Sequence, residues 1–186
     1  MDVDGDTFLW KEIESLVKKN NVQLIIETGT YLGNTAKKFS TLTNVLTCEI
    51  NKDYYLKAVE NIGEIKNIKS FLGNSVDILR ENKRLLEGLN LLFFLDAHWY
   101  DYCPLMDELN LISELGLKPI IVIHDFKVPG KDFGYDSYNG KAFDYELIEK
   151  SVELIYGKNG FEYYYNKDSD GPCRGAVFIL SKKGKK

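Results

Sequence analysis

Apolar residues along this chain follow two patterns, one periodic and one continuous, and the patterns alternate. Over residues 7–19, TFLWKEIESLVKK, the side chains of Phe8, Leu9, Ile13, Leu16 and Val17 fall near helical spacing and predict an amphipathic helix. QLIIETG then runs almost wholly apolar until it meets Glu27, as a strand buried on both faces does. The same alternation continues: a helix over 32–41, a strand in NVLTCEI, a helical NKDYYLKAVENI, a strand in IKSFLG, and a helix in SVDILRENKRLLEG that Gly88 closes. LNLLFFLDAHW is the most apolar strand and is placed at the centre of the sheet. A helix beginning at Pro104 and closed by Gly116 follows, then a fifth buried strand in KPIIVIHDF.

Residues 127–142, KVPGKDFGYDSYNGKA, break the pattern with glycine and tyrosine and read as a loop, a candidate lid above the strand ends. After the helix FDYELIEKSVELIYG come two strands, GFEYYYNKD and RGAVFILSKK, with no helix between them; such a pair is expected to lie antiparallel at one edge. The expectation is therefore an α/β fold: a Rossmann-like, doubly wound sheet, mostly parallel, ending in an antiparallel strand pair.

Composition narrows this picture. A chain of 186 residues, 44% hydrophobic and 13% aromatic, suits one globular domain spanning 1–186 and is short for two. No apolar run approaches the roughly 20 residues of a membrane helix, so no membrane partner is expected. The acidic start MDVDGDTFLW lacks an apolar signal core, which predicts a cytoplasmic protein. Net charge is −4, and SKKGKK at the C-terminus is the only basic cluster, so no nucleic-acid partner is expected. Cys48, Cys103 and Cys173 show no CxxC spacing, which argues against a disulfide framework and a structural zinc site.

Chemistry gathers at predicted strand ends. In IIETGTYLGNT, Gly29 lets the backbone turn sharply beside a ligand and Gly33 lets the following helix pack close. The N–H groups around Thr30, Tyr31, Asn34 and Thr35 open that helix and suit an anionic group. The spacing is E-x-G-x-x-x-G, which favours a nucleoside bearing an amino acid over a nicotinamide dinucleotide. Glu49 closes the second strand, where an acid can accept both ribose hydroxyls. Asn74 and Ser75 close the third, within reach of an adenine edge, and Asp96 closes the fourth.

Both histidines of the chain stand beside aspartates at strand ends: Asp96 and His98 in LDAHW, His124 and Asp125 in IHDF. Carboxylates and imidazoles on one rim can hold a divalent cation or provide a general base. Tyr135 and Tyr138 in the loop suit a sugar face or planar ring. Arg174 precedes the last strand, where an acidic acceptor or the Asp168/Asp170 run would pair with it.

In IIETGTYLGNT, LTCEI, FLGNSVDIL and FFLDAHW, taken in that order and with the late antiparallel pair, the chain resembles the class I S-adenosylmethionine-dependent methyltransferases over residues 20–182. The resemblance implies a seven-stranded methyltransferase fold, with Glu27, Gly29 and Gly33 around the methionine portion, Glu49 on the ribose and Asn74 or Ser75 near adenine. It is similar in particular to the sugar and macrolide O-methyltransferase branch, whose magnesium-binding acids match Asp96 and Asp125. His98 and His124 stand where that branch carries carboxylates, a change that moves preference from magnesium toward manganese, iron or zinc. The resulting expectation is methyl transfer to a hydroxyl of a small molecule or sugar, with Asp96, His98, His124 and Asp125 catalytic. The acceptor site would come from the N-terminal helix, the loop at 127–142 or a second subunit of a homo-oligomer. Two alternatives stay open: a catalytically silent nucleoside-binding module, and a nicotinamide-dependent oxidoreductase.

Overall fold

Each continuous apolar run becomes a strand, and each periodic run a helix laid across it. The computed structural model describes Val3 and residues 5–97 and 102–182. Helix α1 (Thr7–Lys19) is capped by Asp6, whose carboxylate accepts from the N–H groups of Phe8 and Leu9, both at 2.9 Å. Then follow β1 (Leu24–Thr28), α2 (Asn34–Phe39), β2 (Asn44–Glu49), α3 (Lys52–Ile62), β3 (Ile68–Leu72) and α4 (Ser75–Glu81). The second half comprises β4 (Leu91–Leu95), α5 (Leu105–Glu114), β5 (Ile120–His124), the short β6 (Ser137–Tyr138) and β7 (Lys141–Ala142), α6 (Tyr145–Tyr156), β8 (Phe161–Tyr165) and β9 (Ala176–Ser181).

Seven strands form one sheet in the order β3-β2-β1-β4-β5-β9-β8, with β9 antiparallel to both its neighbours and the others parallel. The expected fold class is what the structure has. Period-two alternation sends side chains to two cores. Ile25, Leu92, Phe94 and Val122 pack with α1, α2 and α3 on one face. Ile26, Phe93, Leu95 and Ile121 pack with α4, α5 and α6 on the other. The order of strands across the sheet reverses between β1 and β4, adjacent strands separated in sequence by β2 and β3. Such a reversal opens a crevice beyond the carboxyl ends of the strands. Among the described residues no helix is long and apolar enough to cross a membrane.

Three boundaries depart from expectation. The helix expected to reach Gly88 stops at Glu81, where the Asn82 amide donates to Ile78 O at 2.9 Å, and a 3-10 turn at Lys83–Leu85 takes over. The helix expected over 32–41 is shorter, because Gly33 stands before it in the left-handed region (φ 77°). The segment 127–142 contains the β6–β7 hairpin. Its turn places Asn139 at φ 52° and Gly140 at φ 75°, the double positive φ that Asn-Gly favours in a two-residue hairpin.

Candidate functional site

The crevice at the β1/β4 reversal is a cleft of about 640 Å³. It runs from Glu49 and Ile50 at the end of β2, past Gly73 and Asn74, to Asp96, Asp125 and Arg174. That volume lies within the range of small-molecule sites, roughly 300–1,000 Å³.

The first wall is the turn after β1. Gly29 (φ 89°) and Thr30 donate their N–H groups to Cys48 O at 3.0 and 3.1 Å, which fastens the turn to β2. A Cβ on Gly29 would stand 2.9 Å from the backbone oxygen of Asp96, so this glycine is required by the close approach of the β4 end. Gly33 meets its expectation: a Cβ there would press on Ile62 of α3 at 3.1 Å. Tyr31, also at positive φ (48°), donates its N–H to Glu49 Oε2 at 2.7 Å. That N–H is thus taken by a carboxylate of the chain itself, and α2, with six residues, offers little dipole for an anion. Asn34 and Thr35 line the cleft; Glu27 and Gly33 do not. Glu27 is 1% exposed, lies beneath the turn and accepts from Thr47 Oγ1 at 2.6 Å, so its place is one of support.

Glu49 is buried, yet it lines the cleft. Its Oε1 accepts from the N–H of Asn51 at 2.8 Å, as Oε2 does from Tyr31. Each oxygen keeps a second lone pair, enough for two further donors. Asn74 caps α4 by accepting from Val76 N at 2.9 Å and donates through Nδ2 to the Tyr102 hydroxyl at 3.2 Å. Ser75 donates to Glu108 Oε1 at 2.5 Å, so both polar groups line the cleft while already engaged behind it. Among the apolar or aromatic lining residues, Ile50, Tyr54 and Tyr102 went unmarked in the sequence. Tyr31 and Tyr54 meet edge to face at 4.7 Å.

The far end holds the acids and the imidazole. His124 Nδ1 lies 3.0 Å from Asp96 Oδ1 and 3.4 Å from Asp125 Oδ1. His124 is 3% exposed and Phe94 lies beside its ring, whereas Asp96 and Asp125 reach the cleft. One donor atom from each of Asp96, His124 and Asp125 lies within 4.8 Å of the others. Ligand atoms around one ion at about 2.1 Å stand roughly 3.0–3.4 Å apart, the spacing His124 Nδ1 keeps from Asp96 Oδ1 and Asp125 Oδ1, so these residue types at these spacings suit a divalent cation. His98 lies outside the described residues.

Arg174 completes the wall. Its Nε donates to Asp125 Oδ1 and its Nη2 to Asp136 Oδ1, and the paired carboxylates hold its pKa above the ordinary value. It does not pair with Asp168 or Asp170: Asp170 accepts instead from Thr7, at 2.5 Å from the backbone N–H and 2.7 Å from the hydroxyl. Cys103 is partly buried, and burial pushes its thiol pKa up, which makes it a poor nucleophile.

No protein-family model matches the sequence, and no curated protein matches it. Solved structures do. An O-methyltransferase from Bacillus cereus in complex with SAH is 17% identical over 95% of this chain and 81% of its own, with a TM-score of 0.69. The O-methyltransferase TomG from Streptomyces achromogenes, involved in tomaymycin synthesis and solved with SAM, is 15% identical over 93% and 79%, with a TM-score of 0.66. A precorrin 8w decarboxylase from Methanobacterium thermoautotrophicum, 10% identical over 92% and 90%, also matches at 0.54. The chain therefore has the class I methyltransferase fold, a fold that also carries other chemistry.

Proposed function

We propose that the chain is an S-adenosylmethionine-dependent O-methyltransferase acting on a hydroxyl of a small molecule or sugar. The observation that carries the reading is the layout of one cleft. A buried acid with two spare lone pairs, Glu49, stands at one end, and an Asp–His–Asp rim at the other. A nucleoside bearing an amino acid would lie along this cleft, with ribose at Glu49 and the sulfonium end toward Asp96. Ile50 and Tyr54 supply apolar surface for a base. The O-methyltransferases of Bacillus cereus and Streptomyces achromogenes, solved with SAH and SAM, support the cofactor assignment.

Bound S-adenosylmethionine supplies an electrophilic methyl group; the chain's own residues position the acceptor and manage its proton. Asp96 lies on the cleft wall with His124 Nδ1 behind it at 3.0 Å, a pair able to take a proton from an acceptor hydroxyl and keep the carboxylate oriented. Asp96, His124 and Asp125 would hold a divalent ion, magnesium or manganese, which would lower the acceptor's pKa. A net charge of −4 supports a small-molecule acceptor over a nucleic acid. The loop at 127–142, with Tyr135 and Tyr138, is the lid candidate of this reading.

The test is calorimetric titration with SAH and with NAD, each with and without EDTA. Micromolar SAH binding with no NAD response is the expected result; NAD binding alone would point to an oxidoreductase. SAH binding with no transfer to any hydroxyl acceptor would point to a silent nucleoside-binding module.

A further inference from the structure

One carboxylate at the rim, Asp125, belongs both to the candidate cation site and to an arginine pair. Asp125 is one of the three residues of the candidate cation site, and its Oδ1, 3.4 Å from His124 Nδ1, also accepts from Arg174 Nε. The guanidinium is fixed there by construction. It forks between Asp125 at the end of β5 and Asp136 in the loop before β6. Gly134 makes room for it: a Cβ there would stand 2.9 Å from Nη1. Gly175 lets the Arg174 segment lie against β5, since a Cβ there would fall 2.0 Å from Phe126 O. Backbone bonds lock the arrangement, Phe126 N–H to Gly175 O at 2.9 Å and Gly175 N–H to Gly134 O at 2.9 Å.

An oxygen that accepts from a guanidinium still has a lone pair for a metal, so nothing steric forbids both. Charge opposes it. A divalent ion on Asp125 would sit within a few ångströms of a permanently protonated arginine in a partly buried pocket, where repulsion is poorly screened.

We propose that Arg174 sets the divalent-cation affinity of this site: the guanidinium and the ion are alternative partners of Asp125. The proposal rests on the reading of Asp96, His124 and Asp125 as a cation site. An ion on Asp125 displaces the guanidinium toward Asp136, so cation occupancy and the anchoring of the 127–142 loop are linked through one side chain. Arg174 is thus a positioning residue for both.

The experiment is Mn²⁺ titration of the full chain at neutral pH, followed by the loss of the free-ion paramagnetic resonance signal. The series comprises the unaltered protein, Arg174→Met, Asp125→Asn and the double variant. Arg174→Met should tighten Mn²⁺ binding by about tenfold or more, as removal of an adjacent positive charge predicts. In the Asp125→Asn background the same change should alter affinity by less than about twofold, because the shared carboxylate is what couples the pair. Lys127→Met, which removes a charge from the same loop, should leave affinity within about twofold. No tightening in Arg174→Met, or equal tightening in the Asp125→Asn or Lys127→Met proteins, overturns the proposal. Should thermal melting show that Arg174→Met does not fold, Arg174→Gln carries the test. It removes the charge while its amide can still donate to a carboxylate, so Mn²⁺ must bind more tightly there too, and unchanged affinity refutes the idea. SAH calorimetry on the unaltered protein tells the two readings apart: absent SAH binding sinks the transferase assignment, whereas the Mn²⁺ ordering decides the role of Arg174.

Discussion

Glu108 is an acid in the wrong solvent, and replacing it with glutamine should make the protein more stable at alkaline pH. The residue projects from α5, is fully buried, and has no cation among its partners in the described structure. Oε1 accepts from Ser75 at 2.5 Å. Oε2 has no hydrogen-bond partner, and the Ser75 and Thr28 hydroxyls, which favour the ionised form, do not offset burial. An adjoining cavity of about 10 Å³ holds at most one water. Burial accordingly pushes the carboxyl from its ordinary 4.5 up to about 7. Below pH 4.5 the folded and unfolded chains both carry the proton and no penalty arises. Between 4.5 and about 7 the unfolded chain ionises while the folded chain keeps its proton, so stability falls as pH rises; above that the loss is complete. At about 1.36 kcal/mol per pH unit the loss comes to roughly 3 kcal/mol. Glu108→Gln keeps the acceptor for Ser75, turns an amide toward Thr28 and removes the titration. Melting curves from pH 5 to 8.5 should diverge, the variant gaining up to roughly 6–12 °C over wild type at the alkaline end, at about 2–4 °C per kcal/mol for a chain of this size. Any constant offset from burying an amide is immaterial, because the slope difference is the signature. Parallel curves would show that Glu108 is ionised in the fold and that the reasoning fails.

Four further variants at the cleft have expected outcomes. Glu49→Ala should weaken SAH binding by about 1.5–3 kcal/mol in calorimetry, the range for hydrogen bonds to a charged group. It should also lower the melting temperature, since the N–H groups of Tyr31 and Asn51 lose their acceptor; unchanged SAH affinity would remove the ribose assignment. Gly29→Val should destabilise the fold as well as abolish SAH binding, because its Cβ would meet Asp96 O at 2.9 Å at a φ of 89°; normal melting with normal binding would reduce the turn to a connector. Asp125→Asn should suppress methyl transfer with SAH affinity nearly intact, while His124→Ala, at a 3% exposed position beside Phe94, should lose both activity and stability. Full activity in Asp125→Asn would end the assisted-acceptor reading.

What the sequence disclosed and what it withheld follow from the range of the forces involved. Strand alternation and glycine turns are local, so β1 to β5 and the late antiparallel strand were legible from the order of apolar runs. The strand ends carrying Glu49, Asn74, Asp96 and Asp125 were legible for the same reason: the fold brings carboxyl ends together whatever the side chains. Orientation at those ends is a tertiary matter. Glu27 ends up under the turn because Thr47 of β2 offers it a hydroxyl at 2.6 Å, a pairing across two strands that no spacing encodes. Tyr31 N–H is spent on Glu49, so the turn and the acid that closes β2 are one unit rather than two. Arg174 stood in the sequence nearest to Asp168 and Asp170, yet its partners are Asp125, 49 positions away, and Asp136, 38 positions away. That choice is made by the antiparallel pairing of β9 with β5, which sets Ala176 opposite His124 and so carries the residue two positions earlier onto the rim. The antiparallel strand therefore does more than close the sheet. It delivers a fixed positive charge to the rim where β4 and β5 deliver Asp96 and Asp125, so the electrostatics of that rim are set by the register of a strand pair as much as by its acids.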